Sequence, residues 1–315
     1  MRSESCTCKI SRPPAGPCRA CREQQLAKKG VLVTVERLQD ALGVPLDTLG
    51  DFGLEWYSIH SIPKRDGTFR EVYQPKSPLD TYQRAIHQLL DQLLDHTLSS
   101  CATAFRAGSS PLKNATAHAG ARMALQVDLR DFFINTTLQN AYGLIGVERE
   151  AFAVIVKLCS LPHSPDESRL APGLPSSPVL SNLRCRDLDK ALRALASTDC
   201  VYTRYADDIT FSRKTVGPLP SLANVAELVS RYGGYSLNTA KTCVCGVGDQ
   251  IVVTGYLVNP GDPCPRLPRH QWKRLRGMLH QLSEHPDPKF REKVEGLLSF
   301  ARQVDPEKTD RIAGG

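Results

Sequence analysis

Apolar positions fall into several separable patterns along the chain. Between residues 79 and 94, Leu79, Tyr82, Ile86, Leu89, Leu90, Leu93 and Leu94 recur at helical intervals, the spacing that lines one face of an α-helix. Ser77 stands where a capping side chain belongs and Pro78 where a first helical residue belongs, so an amphipathic helix is predicted to start there. The string SPVLSNLRCRDLDKALRALA predicts another, capped by Ser177, opened by Pro178, and turning Leu180, Leu183, Leu188, Leu192 and Leu195 toward a core. MALQVDLRDFF predicts a strand. CVYTRYADDITFSR predicts two short strands about a tight turn, because Val201, Thr203 and Tyr205 alternate before it and Ile209 and Phe211 after it. Without a regular βαβ alternation or an internal repeat, the expected fold class is α+β.

The ends of the chain differ from this middle. Residues 1–30 are rich in Cys, Pro, Ser and basic residues with no apolar period, which predicts a tail or small appendage, with the core starting near Val31. After Pro260 the pattern predicts basic helices separated by breaks such as EHPDPK. A chain of 315 residues is long enough for more than one subdomain. No run of about 18 apolar residues occurs and no apolar stretch follows the N-terminal charges, so neither a membrane span nor a secretory signal is predicted, and a cytoplasmic location is expected. In that setting the 11 cysteines read as reduced thiols rather than a disulfide framework. Cys6, Cys8, Cys18 and Cys21, spaced C-x-C-x9-C-x2-C, offer four thiolates to one Zn²⁺ or stand as free thiols in a tail. Cys243 and Cys245 flank a predicted strand and read as packing.

Charge sharpens the picture. Lys and Arg outnumber Asp and Glu 40 to 33, a net charge of +7, which suits a polyanionic partner without requiring one. From Arg266 to His280 the chain carries Arg266, Arg269, Lys273, Arg274 and Arg276 and no acid. Such a run suits a surface that follows phosphates, the alternative being a solvated helix face.

The chemistry is concentrated in three acids. Asp207 and Asp208 are adjacent at the predicted hairpin turn; alone they would be an ordinary polar turn. Asp128, however, ends an otherwise apolar strand, where an unpaired carboxylate is costly to bury. Three carboxylates on neighbouring strand ends are what hard, oxygen-seeking Mg²⁺ ions take, with phosphates and water completing the shell. Two such ions serve in-line displacement at phosphorus, with a hydroxyl attacking and pyrophosphate leaving.

At these residues the sequence resembles the reverse transcriptases. YADD at 205–208 is similar to their catalytic turn, VDLRDFF at 127–133 to their first metal-binding motif, GLPSSPVLSN at 173–182 to their template-contacting loop and helix, and GGYSLNTAKT at 233–242 to the segment after the turn. DGTFREVYQPKSPLDTYQRAI at 66–86 resembles their fingers segment. NATAH at 114–118 and VTG at 253–255 resemble two signatures of the bacterial retron enzymes, although each string alone would pass for a capped helix or a glycine turn.

The resemblance implies a right-hand polymerase with an antiparallel palm sheet: a Cys-rich tail (1–30), fingers with a retron-type insertion (31–123), palm (124–256) and a basic helical thumb (257–315). It implies that Asp128, Asp207 and Asp208, with the carbonyl of Leu129, hold two Mg²⁺ ions. Lys241 would meet the leaving pyrophosphate, Arg70 would clamp the triphosphate, and Phe133 would exclude ribose. Asn114, His118, Val253, Thr254 and Gly255, with the basic thumb, would contact RNA. The implied partners are a structured non-coding RNA that is template and primer, its DNA product, deoxynucleoside triphosphates and an effector protein, with no membrane. The implied product is a branched RNA-linked DNA primed from a guanosine 2′-hydroxyl and serving antiphage defence. The chain departs from the family at Pro172, where glutamine is usual, so the amide that often contacts the nucleotide or template is absent. Two rivals are an intron-type or diversity-generating enzyme that extends a 3′-hydroxyl and a non-catalytic RNA-binding scaffold that restrains an effector.

Overall fold

The computed structural model describes residues 32–64, 67–139, 141, 146–162, 168–259, 264–285 and 287–314. The expectation of zinc at Cys6, Cys8, Cys18 and Cys21 lies outside the described residues. The chain divides into two compact units, each assembled from two stretches. One comprises the residues up to Leu98 with Asp131–Asp187, the other Ser99–Arg130 with Leu188 onward. Each unit thus mixes segments that the linear division into fingers, palm and thumb keeps apart.

The first unit holds helix α1 (Val35–Leu42), the hairpin β1 (Tyr57–Pro63) and β2 (Phe69–Pro75), and helix α2 (Leu79–Leu94). In α1 the Thr34 hydroxyl accepts from the Arg37 amide, and Gly43, at φ +70°, closes the far end in the left-handed region. Along α2, Leu79, Gln83, Ile86, Leu90 and Leu94 are buried, so the predicted stripe is the packed face. The start differs from expectation. Pro78 occupies the capping position and no side chain caps the helix, so Ser77 does not have the role assigned to it.

Helix α3 (Pro111–Ala117) and strand β3 (Met123–Asp128) belong to the second unit. The chain then returns to the first for α4 (Phe132–Asn135), α5 (Arg149–Cys159) and α6 (Ser177–Arg184). The helix expected from 177 onward is two, α6 and α7 (Arg186–Leu195), interrupted at Cys185. Ser176, not Ser177, is at the N-cap. The Ser177 hydroxyl instead donates to the Ala171 carbonyl at 2.8 Å and accepts from its amide, tying down the preceding loop.

The second unit is built on the four-stranded antiparallel sheet β4-β5-β3-β6, with β4 at Cys200–Tyr205, β5 at Asp208–Arg213 and β6 at Cys243–Cys245. The tight hairpin is present, with Tyr205 opposite Asp208, but its alternation is not the one predicted. Tyr202, Thr203 and Arg204 are all buried, because β4 and β5 are covered on both faces and a strict period of two is lost. Helix α8 (Leu222–Leu228) precedes β6, and the small hairpin β7 (Val252–Val253) and β8 (Tyr256–Leu257) follows it. Three helices end the chain, α9 (Arg269–Glu284), α10 (Pro288–Arg302) and α11 (Pro306–Ala313), around Leu267, Trp272, Leu275, Val294, Leu298 and Ala301. Among the described residues no helix is long and apolar enough to cross a membrane.

Candidate active site

Register brings the three acids together. β3 pairs with β5 so that Asp128 lies opposite Asp208, and Asp207 occupies the turn between β4 and β5. The Leu129 amide donates to the Asp207 carbonyl at 3.0 Å, and the Asn238 amide to the Asp128 carbonyl at 2.8 Å, so backbone bonds fix both ends of the cluster. One oxygen from each carboxylate lies within 4.8 Å of the other two. Pairs of like charges at that separation repel by up to roughly 3 kcal/mol at an effective dielectric near 20, less where solvent screens them. Asp128 is buried and its carboxylate meets Lys241 Nζ at 2.7 Å, which offsets part of that repulsion. The hydrogen bond to Asp128 and the acids' charges raise the lysine's pKa, so it stays protonated.

Asp208 is exposed as a residue, but its carboxyl faces a cleft of about 310 Å³ that Asp128 and Lys241 also line. Loss of solvent contact, then the charges of Asp207 and Asp128, push it up to about 6 against the pull of Lys241. Three carboxylate oxygens converging within 4.8 Å fit a hard divalent cation better than a polar turn. The Leu129 peptide belongs to the same cluster through its amide.

The cleft continues past the carboxylates to Gln126 and to Thr254 and Gly255. Those last two form the turn of the β7–β8 hairpin, with φ +45° and +90°, a conformation that glycine accepts readily and threonine does not. A Cβ on Gly255 would also lie 3.2 Å from Phe300 Cζ. Gln126 donates to the Val252 carbonyl at 2.9 Å, tethering the hairpin to the sheet.

Asn114 and His118 are not at the surface. Each is 1% exposed. Asn114 accepts from the Thr103 hydroxyl at 2.7 Å and faces Thr254 Oγ1 at 3.5 Å, while Thr254 donates to the Pro111 carbonyl at 2.6 Å. His118 bridges Ser212 Oγ at 2.6 Å and Thr203 Oγ1 at 2.8 Å. Burial lowers its pKa to about 4, so the ring is neutral. Val253 packs with Ile251 and Tyr256 in an apolar cluster. Asn114, His118 and Val253, the residues expected to contact RNA, are thus turned into the interior of the second unit. Asn114 links NATAH to VTG through Thr254, and of the five residues Thr254 and Gly255 line the cleft.

The remaining expected residues are placed as follows. Arg70 is exposed on β2 opposite Ile62. Phe132 is buried, while Phe133 is partly buried against the first unit's core with its ring 5.3 Å from that of Phe132. Arg266, Arg269, Lys273, Arg274 and Arg276 are all exposed; Arg269, Lys273 and Arg276, at i, i+4 and i+7, share one face of α9. Pro172, at the departure from the family pattern, accepts the Tyr73 amide through its carbonyl at 2.8 Å. Sequence reasoning missed Gln126, which lines the cleft, and Asp189 and Arg204, a buried ion pair.

The family model described as reverse transcriptase (RNA-dependent DNA polymerase) matches residues 62–258. Retron Mx162 reverse transcriptase of Myxococcus xanthus is 33% identical over 91% of this chain and 67% of its own length. Retron Ec86 reverse transcriptase of Escherichia coli is 31% identical over 81% of this chain and 79% of its own. A solved structure of telomerase from Candida albicans, in complex with a fragment of telomeric RNA, aligns at a TM-score of 0.49 and 13% identity, over 81% of this chain and 54% of that one. With the carboxylate cluster inside the matched span, the chain belongs to the reverse transcriptases, RNA-directed DNA polymerases that use divalent metal, and among them to the bacterial retron enzymes.

Proposed function

We propose that this enzyme copies part of its own structured non-coding RNA into single-stranded DNA, starting from an internal guanosine 2′-hydroxyl and leaving the DNA joined to RNA through a branch. It does so beside an effector protein in antiphage defence. What carries the proposal is kinship with retron reverse transcriptases over 81% to 91% of the chain. The NATAH and VTG strings support it, since they meet beside the cleft rather than standing apart.

Asp128, Asp207 and Asp208 hold a pair of Mg²⁺ ions, with the Leu129 carbonyl as a further oxygen donor. Held by these residues, Mg²⁺ would supply activation of the attacking hydroxyl and neutralisation of charge on the leaving pyrophosphate. Lys241, kept protonated beside Asp128, meets the pyrophosphate as a point charge and proton donor. Arg70 clamps the triphosphate, a task that suits a guanidinium fork better than an ammonium, and the rigid ring of Phe133 selects against a ribose 2′-hydroxyl. Thr254 and Gly255 face the primer-template from the hairpin turn, and the exposed cations of α9 follow RNA phosphates.

The test is to purify the protein from its native locus and treat its bound nucleic acid separately with DNase, RNase and a 2′,5′-debranching enzyme. A discrete short DNA that remains joined to RNA until debranched is expected. DNA with a plain 3′-primed junction would favour the intron-type or diversity-generating mode instead, and RNA alone would remove the branched-product proposal.

A further inference from the structure

The carboxylate-bearing turn is held from beneath by a buried ion pair with no assigned role. Arg204 lies two residues before the turn on β4 and is 0% exposed; Asp189 on α7 is 1% exposed. The guanidinium meets the carboxylate with two parallel bonds, Nε to Oδ1 at 2.8 Å and Nη2 to Oδ2 at 2.7 Å, the geometry in which arginine is most directional. Tyr202 adds a third bond, donating to Asp189 Oδ1 at 2.8 Å. Burial, then the charge of Asp189, holds that phenol well above its usual value of 10, so it remains a donor.

The third arm of the guanidinium does not serve the pair. Arg204 Nη1 donates to the carbonyl of Ala206 at 3.0 Å. Ala206 is the first residue of the turn, it carries φ +57°, and its carbonyl belongs to the peptide that leads into Asp207. A non-glycine residue in that conformation costs of order 1 kcal/mol or more and persists only where its surroundings enforce it. At the same time the Arg204 main chain is anchored on the other side, its amide to the Cys101 carbonyl at 2.8 Å and its carbonyl to the Thr103 amide at 2.9 Å. Both ends of the side chain are therefore fixed, and what they fix is the height and tilt of the peptide before Asp207.

We propose that Asp189 and Arg204 are positioning residues for DNA synthesis: Asp189 orients the Arg204 guanidinium, which pins the Ala206 carbonyl and so sets where Asp207 and Asp208 stand relative to Asp128. A buried pair is weak evidence for stability in itself, since apolar replacements of similar volume are often neutral or stabilising. The third bond, to the turn, is what a purely structural pair would not need.

Arg204→Lys keeps the charge and loses the fork, so a lysine that reaches Asp189 leaves the Ala206 carbonyl without its donor. The triple variant Asp189→Leu, Tyr202→Phe, Arg204→Met removes the whole polar cluster while conserving bulk. Both are compared with wild type by thermal unfolding, by Mn²⁺ binding from the spectrum of free Mn²⁺, and by RNA-templated primer extension per folded molecule. The expected result is kcat lower by about 10- to 100-fold, Mn²⁺ binding weaker by several-fold, and KM for deoxynucleotide changed less than either, whatever happens to Tm. Wild-type kcat and Mn²⁺ affinity in a folded variant would overturn the proposal. If neither variant folds, the pair is a stability element and the positioning role is withdrawn.

Discussion

Two polar clusters lie at the four-stranded sheet of the second unit and show opposite chemistry. Asp128, Asp207 and Asp208 crowd three acids within 4.8 Å beside a cleft, with Lys241 bound to Asp128. Asn114 and His118 are uncharged and buried, and they are bonded to the buried Ser212 and Thr203 and the half-buried Thr103 and Thr254. The first cluster carries mutual repulsion that a cation would relieve. The second needs nothing from outside. A short motif thus says little about contact until the partners of its polar atoms are known, because buried polar groups that satisfy one another support a fold.

The largest contrast between them lies in activity. Asp128→Asn is expected to lower RNA-templated DNA synthesis by at least ~10³-fold. Its Tm should hold or rise, since one repelling charge is gone; a parallel fall in Tm and activity would place Asp128 among the structural residues. His118→Leu should do the reverse. It orphans two buried hydroxyls and is expected to destabilise by roughly 2–4 kcal/mol while activity per folded molecule on a generic primer-template stays within about threefold of wild type. Loss of RNA use with unchanged unfolding would instead assign His118 a direct part in RNA contact.

His118 also supplies a pH signature. Its native pKa, about 4, lies below the ordinary 6.5. The unfolded chain therefore binds the proton more readily, and stability is full above pH 6.5 and falls as pH drops toward 4. The loss over that window is on the order of 3 kcal/mol, measured by denaturant unfolding at stepped pH, and it should flatten in His118→Leu. Lys241→Met removes the cation beside Asp128 and should cost DNA synthesis about tenfold; unchanged kcat would exclude it from proton or charge transfer. The smallest effect belongs to α9. Lys273→Ala and Arg276→Ala should each weaken RNA binding uniformly across sequences and reduce its salt dependence by about one ion, and an unchanged salt slope would return α9 to a plain solvated face.

Much of this was legible in the chain because the part that carries the three acids obeys local rules. An apolar strand ending in Asp128 and a tight turn at Asp207 and Asp208 follow from patterning; the structure narrows that turn to Ala206 and Asp207, with Asp208 opening β5, and antiparallel register brings the acids together. The α2 stripe was legible for the same reason. Legibility failed where a tertiary partner decides. Nothing local marks Cys185 as the break between α6 and α7. Arg204 looked like one more polar residue of an alternating strand, and its burial depends on an aspartate fifteen positions earlier. Asp189 did leave a trace, as an acid between Leu188 and Leu192 on the buried face of α7. Asn114 and His118 carried a signature in sequence, but which way their side chains point is set by β4, β5 and the β7–β8 turn, all distant in the chain.

The most direct test of the carboxylate cluster is RNA-templated extension of an annealed primer by wild type and Asp207→Asn, at equal concentrations of folded protein, with Mg²⁺ and with EDTA. DNA product from wild type in Mg²⁺, with none from wild type in EDTA and none from Asp207→Asn in Mg²⁺, is the predicted result. Synthesis by Asp207→Asn at the wild-type rate, or synthesis by wild type that survives EDTA, would contradict the assignment of Asp128, Asp207 and Asp208 as the metal-holding centre.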